Sequence, residues 1–392
     1  VHTQDAESPE SLSIISAAPP PQERSQRWAT LLHRMSEQPA RTLVILDLSW
    51  VFYLTGFDGS AGYLLVRLGS EGSAYLCTDG RYHAAASEVL RDQGLEELVQ
   101  IRTDDALQPP PAGALEGPLA LLARAADPAL LRRLLSIDPD LLDARAVLSP
   151  LRARKSPWEL EVMRSAAAIA DRAMDAALAS LVPGLTTERE LAARFEAELR
   201  RLGADGPAFP TIIASADRSA LPHARPSDRP IEGGDVLVVD FGALLHGYRS
   251  DATRTLVVAA DPPPALVATW NLVAAAQAAG IAAARPGAPA TAIEAAAREV
   301  LRDAGVEELL VHGIGHGVGL EIHEHPLTAR DEEPLAEGIT VTVEPGLYRV
   351  GRFGVRLEDT LVVRRDGSER LTRPATATPL VLGASREHGA LD

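Results

Sequence analysis

The order helix, helix, long hairpin runs twice between residues 156 and 363, and this internal repeat limits the fold more than any other feature of the chain. Ser156-Pro157-Trp158-Glu159 is a capping box with proline at the first helical position. It opens a helix to about residue 181, with Leu160, Met163, Ala167, Ala170, Met174 and Leu178 on one stripe. Thr187-Glu188-Arg189-Glu190 opens a second helix, stopped near Gly203, and strands follow at 211–215, 236–240 and 248–258. The second half repeats the order. A helix at about 265–284 stops before Pro286-Gly287, Thr291-Ala292-Ile293-Glu294 caps another that ends at Gly305, and strands follow at 340–344 and 355–363. Glu232-Gly233 matches Glu337-Gly338, and Arg249-Ser250-Asp251 matches Arg356-Leu357-Glu358. Two such halves would pack their sheets together with helices outside and leave a cleft between the hairpins.

Metal-ligand residue types fall at matching places in that repeat. The stretch 312–360 carries His316, Glu344 and Glu358, and the first hairpin carries Asp240 and Asp251. Asp240 ends the apolar run D-V-L-V-V-D with Asp251 eleven residues on, and Glu344 and Glu358 stand fourteen apart in the second hairpin. A carboxylate ending an apolar strand is costly unless paired, solvated or metal-bound. Four carboxylates and an imidazole in one cleft are what two divalent cations require. A single strand-end aspartate is more often a turn residue, but five ligand-type residues, four of them at matching places in two repeated hairpins, point to a site.

Composition removes other classes. Lys+Arg 38 against Asp+Glu 54 gives a net charge of −16, which argues against binding a nucleic-acid backbone. The 46% hydrophobic and 23% charged content is that of a soluble globular chain. The single cysteine, Cys77, excludes an intramolecular disulfide and a cysteine zinc site, and its setting A-Y-L-C reads as core. No uncharged apolar run of membrane-spanning length is read in the chain, so no membrane partner is expected. Residues 1–25 hold acidic residues and Pro19-Pro20-Pro21 without a basic start, and read as a disordered arm rather than a signal peptide. A cytoplasmic location is the expectation.

Residues 26–150 alternate short apolar runs with helical ones. Strands at 42–48, 61–66, 74–78 and 119–122 and a helix at 81–91 make a smaller α/β domain. The turn 55–60 reads as ordinary turn chemistry. No G-x-G-x-x-G opens a helix here, so no nucleotide site is expected. Residues 138–155, with Pro139, Pro150 and the basic Arg152, Arg154 and Lys155, read as a linker holding at most a short helix at 141–147, and the catalytic domain is expected at 151–392.

These residues resemble the pita-bread metallopeptidases, Xaa-Pro peptidase branch (prolidase and aminopeptidase P). The resemblance rests on V-V-D-F-G-A at Asp240, Y-R-S-D-A-T-R-T at Asp251, H-G-I-G-H-G-V-G-L at His316, V-E-P-G-L-Y at Glu344 and G-V-R-L-E-D-T at Glu358. L-P-H-A-R-P at 221–226, E-I-H-E-H-P at 321–326, Y-L-T-G-F and T-D-G-R-Y add to it, so that it covers about residues 26–383. It implies an α+β fold: a pita-bread catalytic domain with internal duplication, preceded by a smaller α/β domain.

By that resemblance two divalent ions per subunit (Mn, Co or Zn) are held. Asp240 binds one, His316 and Glu344 bind the other, and Asp251 and Glu358 bridge them. Such ions activate a water and polarise the scissile carbonyl. Glu344 is then the candidate for proton transfer, His223 and His323 for orienting substrate and stabilising the tetrahedral intermediate, and His312 for lining the proline pocket. Arg356 would hold a bridging carboxylate or meet substrate. The substrates implied are proline-containing dipeptides or short peptides, and a homodimer is implied. A dipeptidase and an aminopeptidase P both fit, with a lean to the dipeptidase, which needs a cation for the proline carboxylate; Arg81, Arg225 and Arg356 are available by type. A metal-free binding module on the same fold is the alternative of another class. Methionine aminopeptidase activity is disfavoured by the large amino-terminal domain.

Overall fold

The structure is a computed structural model and describes residues 15–68, 74–103, 115, 117–123 and 128–382. Two compact units divide the chain, Ala17–Arg152 and a second that begins at Ala153 and takes in Ser16. In the first unit a six-stranded sheet runs in the order Val99–Arg102, Ala74–Cys77, Tyr63–Arg67, Thr42–Ile45, Leu119–Leu122, Leu142–Asp143. The central strand Thr42–Ile45 is wholly buried and pairs antiparallel with Tyr63–Arg67 and parallel with Leu119–Leu122. Burial on both faces explains why it reads as a continuous apolar run instead of an alternating one.

Several expectations are corrected in this unit. Helix Pro21–Ser36 starts inside the stretch read as a disordered arm and buries Trp28, Leu31 and Met35; residues 1–14 of that arm lie outside the described residues. The apolar run at 42–48 ends as a strand at Ile45, because Asp47 caps a helix Leu48–Thr55 by accepting from Ser49 N. The stretch read as a linker is instead a strand, Leu142–Asp143, followed by helix Arg145–Ala153 with Pro150 inside it. Arg152 holds that helix to its own unit, with its guanidinium 4.7 Å from the Trp50 ring centroid and Nη1 donating to Ser49 Oγ at 2.9 Å.

In the second unit the capping box is formed: Ser156 Oγ accepts from Glu159 N and Glu159 Oε2 accepts from Ser156 N. Such a cap is worth about 1 kcal/mol. It opens helix Pro157–Ala179, which packs on helix Glu188–Arg201, capped in the same way by Thr187 and Glu190. The second half repeats this with helices Pro264–Ala283 and Thr291–Asp303. There Thr291 is the first helical residue and not the cap, since Ala290 holds the cap position without a side-chain bond. Helix Pro264–Ala283 is long and apolar enough to cross a membrane by length and composition, contrary to the sequence expectation. Its Leu266, Trp270, Val273 and Ala276 lie in one core cluster with Val341, Val343, Leu347 and Val355, the packing of a core helix.

Each hairpin is broken in the middle. Val236–Phe241 pairs with Ala252–Val258, and beyond a break Ala243–Leu245 pairs with Tyr248–Arg249. In the second half Thr340–Val343 pairs with Asp359–Arg364, and beyond its break Gly346–Arg349 pairs with Phe353–Arg356. Asp251 and Glu358 sit in the returning breaks, so each side chain is freed from the ladder's alternation at the point where the hairpins meet. The two halves touch there through a bridge between Thr253 and Glu358, Glu358 N donating to Thr253 O at 3.1 Å. Gly242 permits the first break, because a Cβ there would collide with the carbonyl oxygen of Ser250.

Candidate metal centre

The register shows how the candidate ligands converge. Asp240 lies opposite Thr253, two residues past Asp251, whereas the position opposite Asp359, one past Glu358, is Val343. Matched by register, Asp240 therefore corresponds to Thr342, and Glu344 to Gly242. The first carboxylates of the two hairpins are not at equivalent places as the sequence suggested, but two residues out of step. A slip of two preserves the face, since strand side chains alternate with period two, so both still point into the cleft.

A cavity of about 1100 Å³ is lined by His223, Asp240, Asp251, His312, His316, His323, Glu344, Arg356 and Glu358, and by Arg225. Arg81 is not among its lining residues and is exposed in the first unit, paired with Asp79 at 2.7 Å. Asp251, His316 and Glu358 each offer a ligand atom, all within 4.8 Å of one another. Glu344 Oε1 is 3.3 Å and Asp251 Oδ2 3.7 Å from His316 Nε2. The other imidazole nitrogen, Nδ1, lies 3.0 Å from Gly317 O, the contact that sets a ligand histidine's tautomer. Asp240 stands apart from this trio, drawn to Arg356 Nη2 at 2.6 Å. Arg356 therefore serves a carboxylate that is not one of the expected bridging pair. Three further N–H groups donate to Thr253 Oγ1 at 3.1 Å, Tyr348 OH at 2.9 Å and Pro222 O at 3.1 Å.

The electrostatics are those of a cleft holding too many carboxylates. Burial, then the negative Glu358, pushes the Asp251 carboxyl well above the ordinary range. Burial, then Glu344, does the same to Glu358. Burial also raises Asp240, against the pull of Arg356. Glu344 departs from the pattern: burial pushes it up, but its hydrogen bond and charge contact with His316 outweigh this and hold it below the usual value. Burial lowers His312, and burial pushes the Tyr348 phenol up to about 12. Asp240 Oδ1 and Glu358 Oε1 are buried with no hydrogen-bond partner among the described residues. Buried carboxylate oxygens without partners, hard oxygen donors and one imidazole fit divalent cations.

Two contributors were legible in the sequence but not singled out. Thr253 stands two residues beyond Asp251 on the same strand, and its Oγ1 donates to Glu358 Oε2 at 2.6 Å while accepting from Arg356 Nε. Tyr348, in V-E-P-G-L-Y, joins His312 Nε2 at 2.8 Å to Arg356. Replacing Thr253 by the isosteric valine leaves a buried guanidinium N–H and a carboxylate oxygen unpaired. It should cost about 2 kcal/mol of metal-free stability in urea denaturation; a change under about 0.5 kcal/mol would remove this role. Lys155, which reads as part of a linker's basic end, is buried 2.5 Å from Glu324 and ties down the residue next to His323.

Repeated α+β halves with acidic strands facing a histidine define a hydrolase of the metallopeptidase class. Residues 161–365 match metallopeptidase family M24, and residues 27–145 match the creatinase/prolidase N-terminal domain. The chain is 35% identical over 355 residues to an Xaa-Pro dipeptidase of Pyrococcus furiosus, 89% of this chain and 98% of that protein. It superposes on the Xaa-Pro dipeptidase from Bacillus anthracis with a TM-score of 0.82 at 30% identity, over 92% of this chain and all of that one. On the X-Pro aminopeptidase from Thermotoga maritima the TM-score is 0.78 at 32% identity, over 90% and 99%. The chain belongs to metallopeptidase family M24.

Proposed function

We propose that this protein is a metal-dependent Xaa-Pro dipeptidase, holding two divalent ions among Asp240, Asp251, His316, Glu344 and Glu358. The observation that carries the reading is the convergence of these five side chains, from both halves of the repeat, on one cavity that also bears His223 and His323. Relatives named Xaa-Pro dipeptidase, matched over nearly their whole length, support the substrate class. Mn²⁺, Co²⁺ and Zn²⁺ all suit this oxygen-rich set.

Bound cations supply a nucleophilic water near neutral pH and polarise the scissile carbonyl. The chain's own residues do the rest. Glu344, kept ionised beside His316, is the carboxylate able to accept a proton from the attacking water. His223 and His323 are exposed on the cavity wall and can donate to the oxyanion that forms at the carbonyl. His323 stands edge-on to His316 with ring centroids 4.3 Å apart, which fixes it beside the metal ligand. Arg356 directs four of its five N–H groups to protein partners and so orients Asp240 in preference to binding substrate. His312, neutral through burial and held by Tyr348, offers an uncharged wall to the proline ring. A proline nitrogen carries no N–H, so a pocket that asks for no donor there selects by shape.

A dipeptidase needs a cation for the free carboxylate. Arg189 is engaged with Asp228 at 2.7 Å, but Arg225 and Arg330 line the same cavity and make no ion pair among the described residues. Replacing either by alanine should raise KM for an Xaa-Pro dipeptide, by about tenfold for the one that meets the carboxylate. The same change should leave the KM of an Xaa-Pro-initiated tripeptide amide unaltered. The deciding comparison is the wild-type enzyme on both peptides. Preferential turnover of the dipeptide is expected, and equal or faster cleavage of the longer peptide would make the protein an aminopeptidase P.

A further inference from the structure

Each half carries a second repeated device that the metal centre does not account for. Glu188, the first residue of helix Glu188–Arg201, has a fully buried side chain. Its Oε1 accepts from Ser215 N and Ser215 Oγ, both at 2.8 Å. Its Oε2 accepts from Ser227 N at 2.9 Å and Ser227 Oγ at 2.6 Å. Arg218 Nε adds a charged donor 3.0 Å from Oε2, and Arg218 Nη2 reaches on to Arg225 O at 2.6 Å. Ser215 and Ser227 are the two ends of the stretch that carries His223.

Glu294, in the first turn of helix Thr291–Asp303, repeats this arrangement. Its Oε2 accepts from Ile314 N at 2.7 Å and shares the single hydroxyl proton of Thr328, 3.1 Å away, with Gly315 O at 2.7 Å. Its Oε1 accepts from Arg298 Nε at 2.6 Å, and Arg298 Nη2 reaches on to His312 O at 3.1 Å. Ile314 and Thr328 are the ends of the stretch that carries His316 and His323. Ile314 O in turn accepts from Glu344 N at 2.7 Å, so this clasp bears directly on the backbone of a second ligand. In both halves, then, a first-turn glutamate of the second helix closes a loop by its two ends, and its arginine partner also holds a main-chain carbonyl of the loop region.

We propose that Glu188 and Glu294 are a duplicated pair of positioning residues, Glu188 setting His223 and Glu294 setting His316 and His323. The inference rests on the metallopeptidase reading of the same cavity. A buried carboxylate ringed by donors is a rigid anchor, because each charge-assisted bond fixes direction as well as distance. A catalytic group displaced by about 1 Å loses on the order of 100-fold in rate. A merely structural acid would lower stability and nothing else. These two clasps have separable outputs, because the loop closed by Glu188 holds no metal ligand and the loop closed by Glu294 holds His316.

Glutamine at either position keeps the size but turns one acceptor oxygen into a donor facing another donor. Glu188→Gln should lower kcat/KM on an Xaa-Pro dipeptide about tenfold, with Mn²⁺ affinity held within about twofold. Glu294→Gln should weaken Mn²⁺ binding to metal-stripped protein about tenfold, read by calorimetric titration with Mn²⁺ alone. Ser227→Ala and Thr328→Val remove one outer hydroxyl from each clasp and should give the same two signatures, smaller, if a glutamine variant does not fold. The idea fails if the variants lose only thermal stability, or if both lose turnover and Mn²⁺ affinity together. A wild-type protein without peptidase activity would instead refute the assigned function, and the Mn²⁺ titration of Glu294→Gln would still test its clasp.

Discussion

Asp251→Ala is expected to abolish peptidase activity as fully as Glu358→Ala, by at least about 1,000-fold in kcat/KM each, with the fold retained. The two residues come from different halves of the repeat and lie in the matching breaks of two hairpins. Each offers a ligand atom within 4.8 Å of the other and of His316. Losing either would remove one of the two carboxylates, one from each half, proposed to bridge the cations. Retention of the fold is expected because burial and neighbouring charge disfavour both carboxylates in the metal-free protein. Alanine at either place removes a liability there. Steady-state kinetics together with thermal denaturation check the prediction; a variant keeping more than about a tenth of wild-type activity contradicts a shared role.

The second large effect concerns metal removal and its dependence on pH. In the metal-free folded protein burial, with neighbouring carboxylates, holds Asp251 and Glu358 well above their unfolded values. Burial raises Asp240 in spite of Arg356. Burial pulls His316 down, but its hydrogen bond to Glu344 carries it up overall. A group raised in the folded state keeps a proton that the unfolded chain has released. Its contribution is full below the unfolded value and is lost as pH rises through the folded one. Glu344 and His312, both lowered overall, run the other way and lose their contributions as pH falls. Four groups outweigh two. The chelated protein should therefore melt at lower temperature as pH rises from about 5 to 8, by on the order of 5 °C, and restored metal should flatten the curve. A melting temperature of the chelated protein that rises over that window would contradict this charge balance.

The proposed ligands stand out in the sequence because strands advertise them: an apolar run that ends in aspartate or glutamate is a visible breach of a simple rule, and the breach occurs at related places in two halves. What could not be read was their register. Asp240 and Glu344 look equivalent as strand ends, yet the pairing sets them two residues out of step, which only the position of the hairpin breaks reveals. The helices were legible where a capping box is written in the sequence, at Ser156 and Thr187, and misread at Thr291, whose helix starts without a side-chain cap.

Residues 138–155 were misread for a different reason. Proline and a basic run signal a linker, but packing within each unit overrides that signal. Arg152 stacks on Trp50 in the first unit, while Lys155 pairs with Glu324 in the second. Partners this far apart in sequence leave no local pattern. The same holds for Arg356, whose type suggested a substrate contact or a bridging carboxylate and whose geometry assigns it to Asp240, 116 residues away.

One cavity, assembled from both halves, is proposed to hydrolyse Xaa-Pro bonds with two divalent ions. Titrating metal-stripped protein with Mn²⁺ while following both heat and Xaa-Pro dipeptide turnover tests it most directly. The expected result is no activity without metal, uptake of two equivalents per chain, and turnover that reaches its plateau only as the second is bound. Saturation at one equivalent, with full turnover, would contradict a bridged pair, and turnover that persists without metal would contradict the account altogether.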